Sequence, residues 1–177
     1  MHVHSSTRGF SLAFHALAIV LFGMMAGFFW TYSANVNLAM LTLDGATYAT
    51  VQSAFNRHVR HALFFTFFFG PPPVAALALA IGWRQWRRGW FALLASAGLL
   101  YLLGIVFFTA QVNLPLNHYT ESWDLSALPP DWAQTRAHWN AANLWRTCAS
   151  AAAFALALGA LAWRAALPAE RGATTGA

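Results

Sequence analysis

The chain is predicted to be an all-α membrane protein, a four-transmembrane-helix bundle built from two parallel-repeat hairpins. Three observations lead there. Four long apolar stretches lie at about 10–40, 58–82, 90–116 and 143–165, and a spanning helix needs about 20 apolar residues. Only 8% of the 177 residues are charged and 59% are hydrophobic, against a charged fraction of about 25% in soluble domains. Finally, Ser-Ala-Asn-Val-Asn-Leu at 33–38 is echoed by Thr-Ala-Gln-Val-Asn-Leu at 109–114. Each copy closes a span, and each is followed by an acidic loop and an aromatic-Asn pair (Phe55-Asn56, Trp139-Asn140) that opens the next span. Two such hairpins in one orientation imply a pseudo-two-fold axis along the membrane normal, with Asn37 and Asn113 facing each other across it.

The first stretch follows Arg8 and is longer than a signal peptide's apolar core of about 7–15 residues, so it reads as a retained helix. The second is interrupted by Gly70-Pro71-Pro72-Pro73. Three prolines remove three N–H donors, and the freed carbonyls need a neighbour or a water-lined cavity. The break is thus a kink or a pocket floor. The third and fourth stretches enclose an outer loop, 119–137, in which Pro130 and Asp131 could start a short interfacial helix ahead of Trp132. The first outer loop, 41–56, carries Asp44-Gly45 as a turn signal. Residues 166–177 read as a flexible C-terminal tail.

All ten basic residues are Arg. Arg84, Arg87 and Arg88 fill the link between the second and third spans, Arg8 precedes the first span, and Arg164 and Arg171 follow the fourth. The opposite loops hold Asp44, Glu121, Asp124 and Asp131. The positive-inside rule places both termini and the 83–89 link in the cytoplasm, in a bacterial inner membrane. Trp83, Trp86, Trp90 and Trp163 mark the inner interface. The net charge of +5 has no soluble face to sit on, so nucleic acid is not an expected partner. The expected partners are the lipid bilayer and a hydrophobic small molecule, and the aromatics at 65–69 would permit a homo-oligomer. The lone Cys148 lies within a span and is expected to be a packing residue, as are His15, Met24 and Met25.

Nearly all other polar residues gather at the outer ends of the spans. Polar groups at membrane depth are costly and mark a functional site by default. On the fourth span Trp139, Asn143, Arg146 and Ser150 form one helical stripe. On the second, Arg57 and His61 are four apart and His58 and His61 three apart; on the third, Asn113 and Asn117 are four apart. No acid lies inside a span, so Arg60 and Arg146 must snorkel, pair with a loop acid such as Asp44 or Asp124, or bind an anionic ligand. His58, His61, His118 and His138 could together hold copper, zinc or haem, although no carboxylate or thiolate accompanies them. A cofactor-free site is the preferred expectation.

The segment 107–153 resembles the anthrone oxygenase-like family of small four-span membrane proteins. The resemblance rests on Asn113-Leu-Pro-Leu-Asn117, an acidic loop with Trp132, and then Arg136, Trp139, Asn143, Arg146 and Thr147. His118 and the His58/His61 pair depart from the pattern. Fungal members oxidise polyketide anthrones to anthraquinones with oxygen. For this chain the resemblance implies a membrane oxygenase, or oxidoreductase, acting on an anthrone- or phenol-like substrate. Such an electron-rich anion can pass an electron to oxygen unaided, so the protein need supply only a base, an oxyanion site and an apolar chamber. His61 or His118 would be the base. Arg146 or Arg60 would bind the oxyanion with Asn113, Asn117 and Asn143, Asn37 would bind substrate, and Trp139, Phe107, Phe108 and Phe64 would form the walls. Two other classes are weighed beside it: a His-ligated metal or haem redox protein, and a non-catalytic membrane subunit or small transporter.

Overall fold

The computed structural model describes residues 2–167 and, for residues 2–8, the backbone alone. The side chain of Arg8, Arg171 and most of the expected C-terminal tail (168–177) lie outside the described residues. Among the described residues every regular element is helical. Helix α1 (His2–Thr31) runs through a π-helical segment (Tyr32–Val36) into a short α2 (Asn37–Met40). It is followed by α3 (Gly45–His58), α4 (Ala62–Phe69), α5 (Pro71–Ile81), α6 (Gly89–Tyr101), α7 (Leu114–Glu121) and α8 (Trp132–Ala166). Two further π-helical segments, Leu102–Phe107 and Thr109–Asn113, join α6 to α7.

Among the described residues three stretches are long and apolar enough to cross a membrane, Gly9–Met40, Gly89–Glu121 and Trp132–Ala166. The pair Ala62–Phe69 and Pro71–Ile81 passes the same test jointly but is bent by 45°. Contacts fix how they pack. Ser11 meets Ala78 and Arg164, and Ser33 meets Thr147 and Asn143, so α1 runs antiparallel to both α5 and α8. Gly89 lies against Trp163 and Gly104 against Ala149, which runs α6 antiparallel to α8. The core holds Phe22, Met25, Phe29, Tyr101 and a ladder of Ala149, Ala153, Ala157 and Ala160 on α8. Those small residues let α1 and α6 approach closely, as is usual between membrane helices.

The Gly-Pro-Pro-Pro element resolves as a kink. A helical carbonyl normally accepts from the N–H four residues on. For Phe68 the residues three, four and five ahead are Pro71, Pro72 and Pro73, none of which has an N–H. The Tyr101 hydroxyl, fully buried, donates to the Phe68 carbonyl instead at 3.0 Å. Gly70 permits the bend because a Cβ there would collide with the Thr66 carbonyl oxygen.

Several sequence expectations change. The first outer loop is mostly helix α3. Asp44 does not make a turn with Gly45 but caps α3, accepting from the Ala46 and Thr47 amides at 3.0 Å and from the Thr47 hydroxyl at 2.7 Å. The helix that carries the fourth apolar stretch begins at Trp132, so the expected interfacial helix is its first turns. The start of the second apolar stretch is not continuous helix: α3 ends at His58 and His61 is extended, with φ −124° and ψ 162°. Trp90 is no interfacial marker. It is fully buried, stacked on His15 and covered by the Arg164 guanidinium 4.3 Å above its ring. Cys148 is exposed, while Met25 is core and Met24 half exposed.

Candidate functional site

The two similar segments both contain π-helical turns. Ser33-Ala-Asn-Val-Asn-Leu and Thr109-Ala-Gln-Val-Asn-Leu overlap the π-helical segments Tyr32–Val36 and Thr109–Asn113, and each carries a buried Asn, Asn37 just after the first segment and Asn113 at the end of the second. A π turn widens the helix and is frequent at functional sites. The first hydroxyl of each copy reaches the same pair on α8. Asn143 Nδ2 donates to Ser33 Oγ at 2.8 Å, and Arg146 donates to Thr109 Oγ1 at 3.4 Å. Arg146 also donates to Asn143 Oδ1 at 2.8 Å, which closes the set. Thr147 bonds Ser33 and the Phe29 carbonyl at 2.8 and 3.0 Å.

Arg146 is 8% exposed, and its Nε has no hydrogen-bond partner. Its guanidinium carbon lies 4.8 Å from the Phe29 ring centre and 5.6 Å from that of Trp139. Its partners are an amide, a hydroxyl and aromatic faces, all neutral. Arg60 is different. It pairs with Glu121 at 2.7 Å, partly in solvent, and not with Asp44 or Asp124. Arg136 covers the end of α2, donating to the Leu43 and Met40 carbonyls at 3.2 and 3.4 Å between the rings of Tyr48 and Trp132.

Beside Arg146 lies a cavity of about 620 Å³, within the usual range of about 300–1,000 Å³ for small-molecule pockets. Phe28, Phe29, Tyr32, Phe55, Phe64 and Trp139 supply its aromatic wall, and Asn56, His58, Asn117, Asn143 and Arg146 its polar groups. Trp139 is fixed by its Nε1 donating to Asn117 Oδ1 at 2.7 Å and by the Tyr32 ring 5.2 Å away. Its exposed lining residues are Met24, Gly27, Phe28 and Thr31, inside the first span, and Phe55 and His58 on α3.

Asn117, Trp139, Asn143 and Arg146 thus come together on the cavity wall, without the Asn113 that was expected beside them. The stripe Trp139, Asn143, Arg146, Ser150 is buried throughout. Other candidates fall elsewhere. The His58/His61 and Arg57/His61 spacings assumed one continuous helix, which the break at Val59–His61 removes. His61 caps α4, its Nδ1 accepting from the Phe64 amide at 3.3 Å, while His58 stands on the cavity wall. His118 and His138 are exposed and do not line it. Among the described residues no three His, Cys, Asp or Glu side chains are grouped to hold a metal ion. Asn37 and Asn113 are buried but off the wall, and neither amide atom of Asn113 has a partner. Phe107 is exposed and Phe108 packs on Trp145, 5.9 Å away. Tyr32 and Asn56 also line the cavity; Asn56 was among the polar residues gathered at the outer ends, and Tyr32 was not singled out.

The family model described as anthrone oxygenase matches residues 62–156. The chain belongs to the anthrone oxygenase family. No curated protein and no solved structure matches it. The stretch shared with the family carries Thr109, Asn117, Trp139, Asn143 and Arg146. The facing wall, Phe28 to Tyr32 and Phe55 to His58, lies outside the part by which this anthrone oxygenase family member is recognised.

Proposed function

We propose that this anthrone oxygenase family protein is an integral membrane oxygenase, and that it oxidises a flat, hydrophobic anthrone- or phenol-like compound with dioxygen in the cavity beside Arg146. One observation carries the reading. A buried guanidinium with only neutral partners, and with Nε unbonded, stands on the wall of an aromatic cavity. A charge at a helix centre costs at least about 2.5–3.5 kcal/mol, and an anionic oxygen would offset that cost.

The substrate's ketone oxygen sits against Arg146 and Asn143, which hold the negative charge as it develops. His58, in place of His61 or His118, takes a proton from the carbon across the ring. The carbanion passes an electron to dioxygen, and a carbon–oxygen bond forms as the radicals combine. The resulting peroxide loses the second carbon-bound proton, its O–O bond breaks, and hydroxide leaves. One anthrone and one dioxygen give one anthraquinone and one water. This chemistry asks for no metal or organic cofactor. In the same reading α4 and α5 together form a fourth span. The protein is then a four-helix bundle of two parallel hairpins in a bacterial inner membrane, with its termini and the Arg84–Arg88 link in the cytoplasm.

Purified protein supplied with anthrone should consume oxygen and release anthraquinone in equal amounts. Arg146→Leu should stay monodisperse and lose that activity. Wild-type protein that does not accelerate the reaction, or an Arg146→Leu protein as active as wild type, refutes the proposal.

A further inference from the structure

The cavity is polar at one end only. Contacts between α1 and α8 give its levels. Thr147 Oγ1 donates to the Phe29 carbonyl at 3.0 Å, and the Arg146 guanidinium lies over the Phe29 ring, so Arg146 stands level with Phe29. The other polar groups of the wall lie on one side of that level. Asn143 is one turn from Arg146 towards Trp139, Asn117 holds Trp139 Nε1, and Asn56 is tied to Tyr32 through Gln52, two residues before His58. On the other side the wall is Phe28, Gly27 and Met24, with the Phe64 ring 5.4 Å from that of Phe28. Met24 is five residues beyond Phe29, about 7 Å along the axis. Among the described residues no polar side chain lines that length. Met24 also stands midway between Gly9 and Met40, the ends of the first apolar stretch.

Met24, Gly27, Phe28 and Thr31 follow one another at three- and four-residue steps, a single stripe along α1, and all four are exposed. Gly27 opens this stripe. A Cβ there would meet nothing within 4 Å, whereas one at Gly23, a turn deeper, would sit 3.0 Å from the Phe154 ring. Gly23 is thus a packing glycine between α1 and α8, and Gly27 is not. A glycine inside a helix weakens it, and what this one leaves is a groove beside the Phe28 ring. The remaining exposed wall, Phe55 and His58, stands at the polar end, where a hydrocarbon chain would cover the imidazole. A ring reaching from Arg146 towards His58 leaves the length from Gly27 to Met24 unfilled, and an apolar wall with nothing against it forfeits its dispersion contacts.

We infer that the substrate is an aromatic lipid: its ring head binds at Arg146, and its one long alkyl or prenyl chain leaves past Phe28, lies in the groove at Gly27 and ends beyond Met24 among the acyl chains of the bilayer. The ring rests on the proposed function; the chain does not. This is the orientation of any amphiphile in one leaflet, with the head towards the end of the spans and the tail towards their middle. Such a compound binds without leaving the membrane. The chain stays in hydrocarbon throughout, so the groove gains orientation rather than hydrophobic affinity. A chain held between Phe28 and Thr31 presents the ring to Arg146 by one edge and stops it turning end over end, which a bare anthrone is free to do. Holding reactants in one geometry in this way lowers the barrier.

The test uses full-length protein in lipid nanodiscs, with anthrone and an anthrone bearing a decyl chain on an outer ring as probes. A diazirine midway along the chain should label the peptide that holds Met24 to Thr31, and excess decylanthrone, but not excess phospholipid, should suppress that label. Gly27→Leu fills the groove. Leucine favours helix and its Cβ meets no neighbour, so the variant should fold. It should lower kcat/KM for decylanthrone relative to anthrone about tenfold, a ratio that does not depend on how much of the protein is active. Label spread over the outer faces of the helices, label that phospholipid removes as readily, or an unchanged ratio in Gly27→Leu overturns the inference. If Arg146→Leu still abolishes oxidation in that case, the proposed function stands and only the chain fails. Label confined to Met24 to Thr31 in a protein that oxidises neither probe overturns the proposed function and leaves the groove.

Discussion

Tyr101→Phe should destabilise the fold through a single carbonyl. The Phe68 oxygen faces three prolines at the positions from which a helix would supply its donor, and the buried Tyr101 hydroxyl is its partner at 3.0 Å. Deleting the hydroxyl removes one oxygen and leaves almost no void, so the cost is that of an unpaired buried carbonyl, about 1–3 kcal/mol. Side-chain hydrogen bonds in membranes usually measure less, about 0.6 and at most about 1.7 kcal/mol, because the unfolded helices find other partners. Here the isolated α4–α5 segment has no donor of its own to offer, so the cost should lie near the top of that range, about 1.5 kcal/mol. Pro72→Ala restores the one N–H that regular helix would aim at Phe68. In that background Tyr101→Phe should cost about 1 kcal/mol less, a coupling readable as a double-mutant cycle. Unfolding in mixed micelles, followed by tryptophan fluorescence, gives all four corners. Equal cost in both backgrounds, or a Tyr101→Phe protein as stable as wild type, would show that the kink is not held by this bond. The bend also aims Phe64 at the cavity, so Pro72→Ala should weaken anthrone binding more than Tyr101→Phe does.

Two further predictions concern the polar end. Hydrogen bonds from the Thr47 amide and hydroxyl, and then from the Ala46 amide, hold the Asp44 carboxyl below the usual carboxylate range. Its contribution to α3 is therefore complete above the unfolded value of about 3.9 and fades as pH falls through the lower folded value. Amide exchange in 45–58 should accelerate below about pH 4 in wild type and lose that dependence in Asp44→Asn. Glu121→Gln breaks the pair with Arg60, whose side chain is 35% exposed. It should change stability by less than about 1 kcal/mol and leave turnover intact, and a large loss of activity would return Arg60 to the site.

The apolar spans were legible because lipid imposes one rule, length and hydrophobicity, and the chain obeys it. The stripe from Trp139 to Ser150 was legible because α8 is regular there and helical spacing holds. The His pair was misread because its spacing crosses Val59–His61, where the chain leaves the helix, and periodicity cannot flag a break that carries no Gly or Pro. Helix α3 was hidden because it is polar enough to read as a loop, and its cap at Asp44 also reads as a turn. The repeat was visible as letters at 33–38 and 109–114, but its conformation was not. A π turn depends on which neighbour takes the displaced carbonyl, and for Phe29 that neighbour is Thr147, 118 residues away.

In the proposed reading the exposed cavity wall at Met24, Gly27, Phe28 and Thr31 sets the phase from which the site is filled. Because these residues lie within a span, the concentration the cavity meets is the mole fraction of substrate among acyl chains. Added lipid at fixed total substrate and protein then slows an unsaturated reaction by dilution in two dimensions, with the protein itself unchanged. A Michaelis constant stated per litre would vary with every preparation, and one stated per mole of lipid would not. Dioxygen also prefers hydrocarbon to water, so both reactants arrive concentrated by the same solvent.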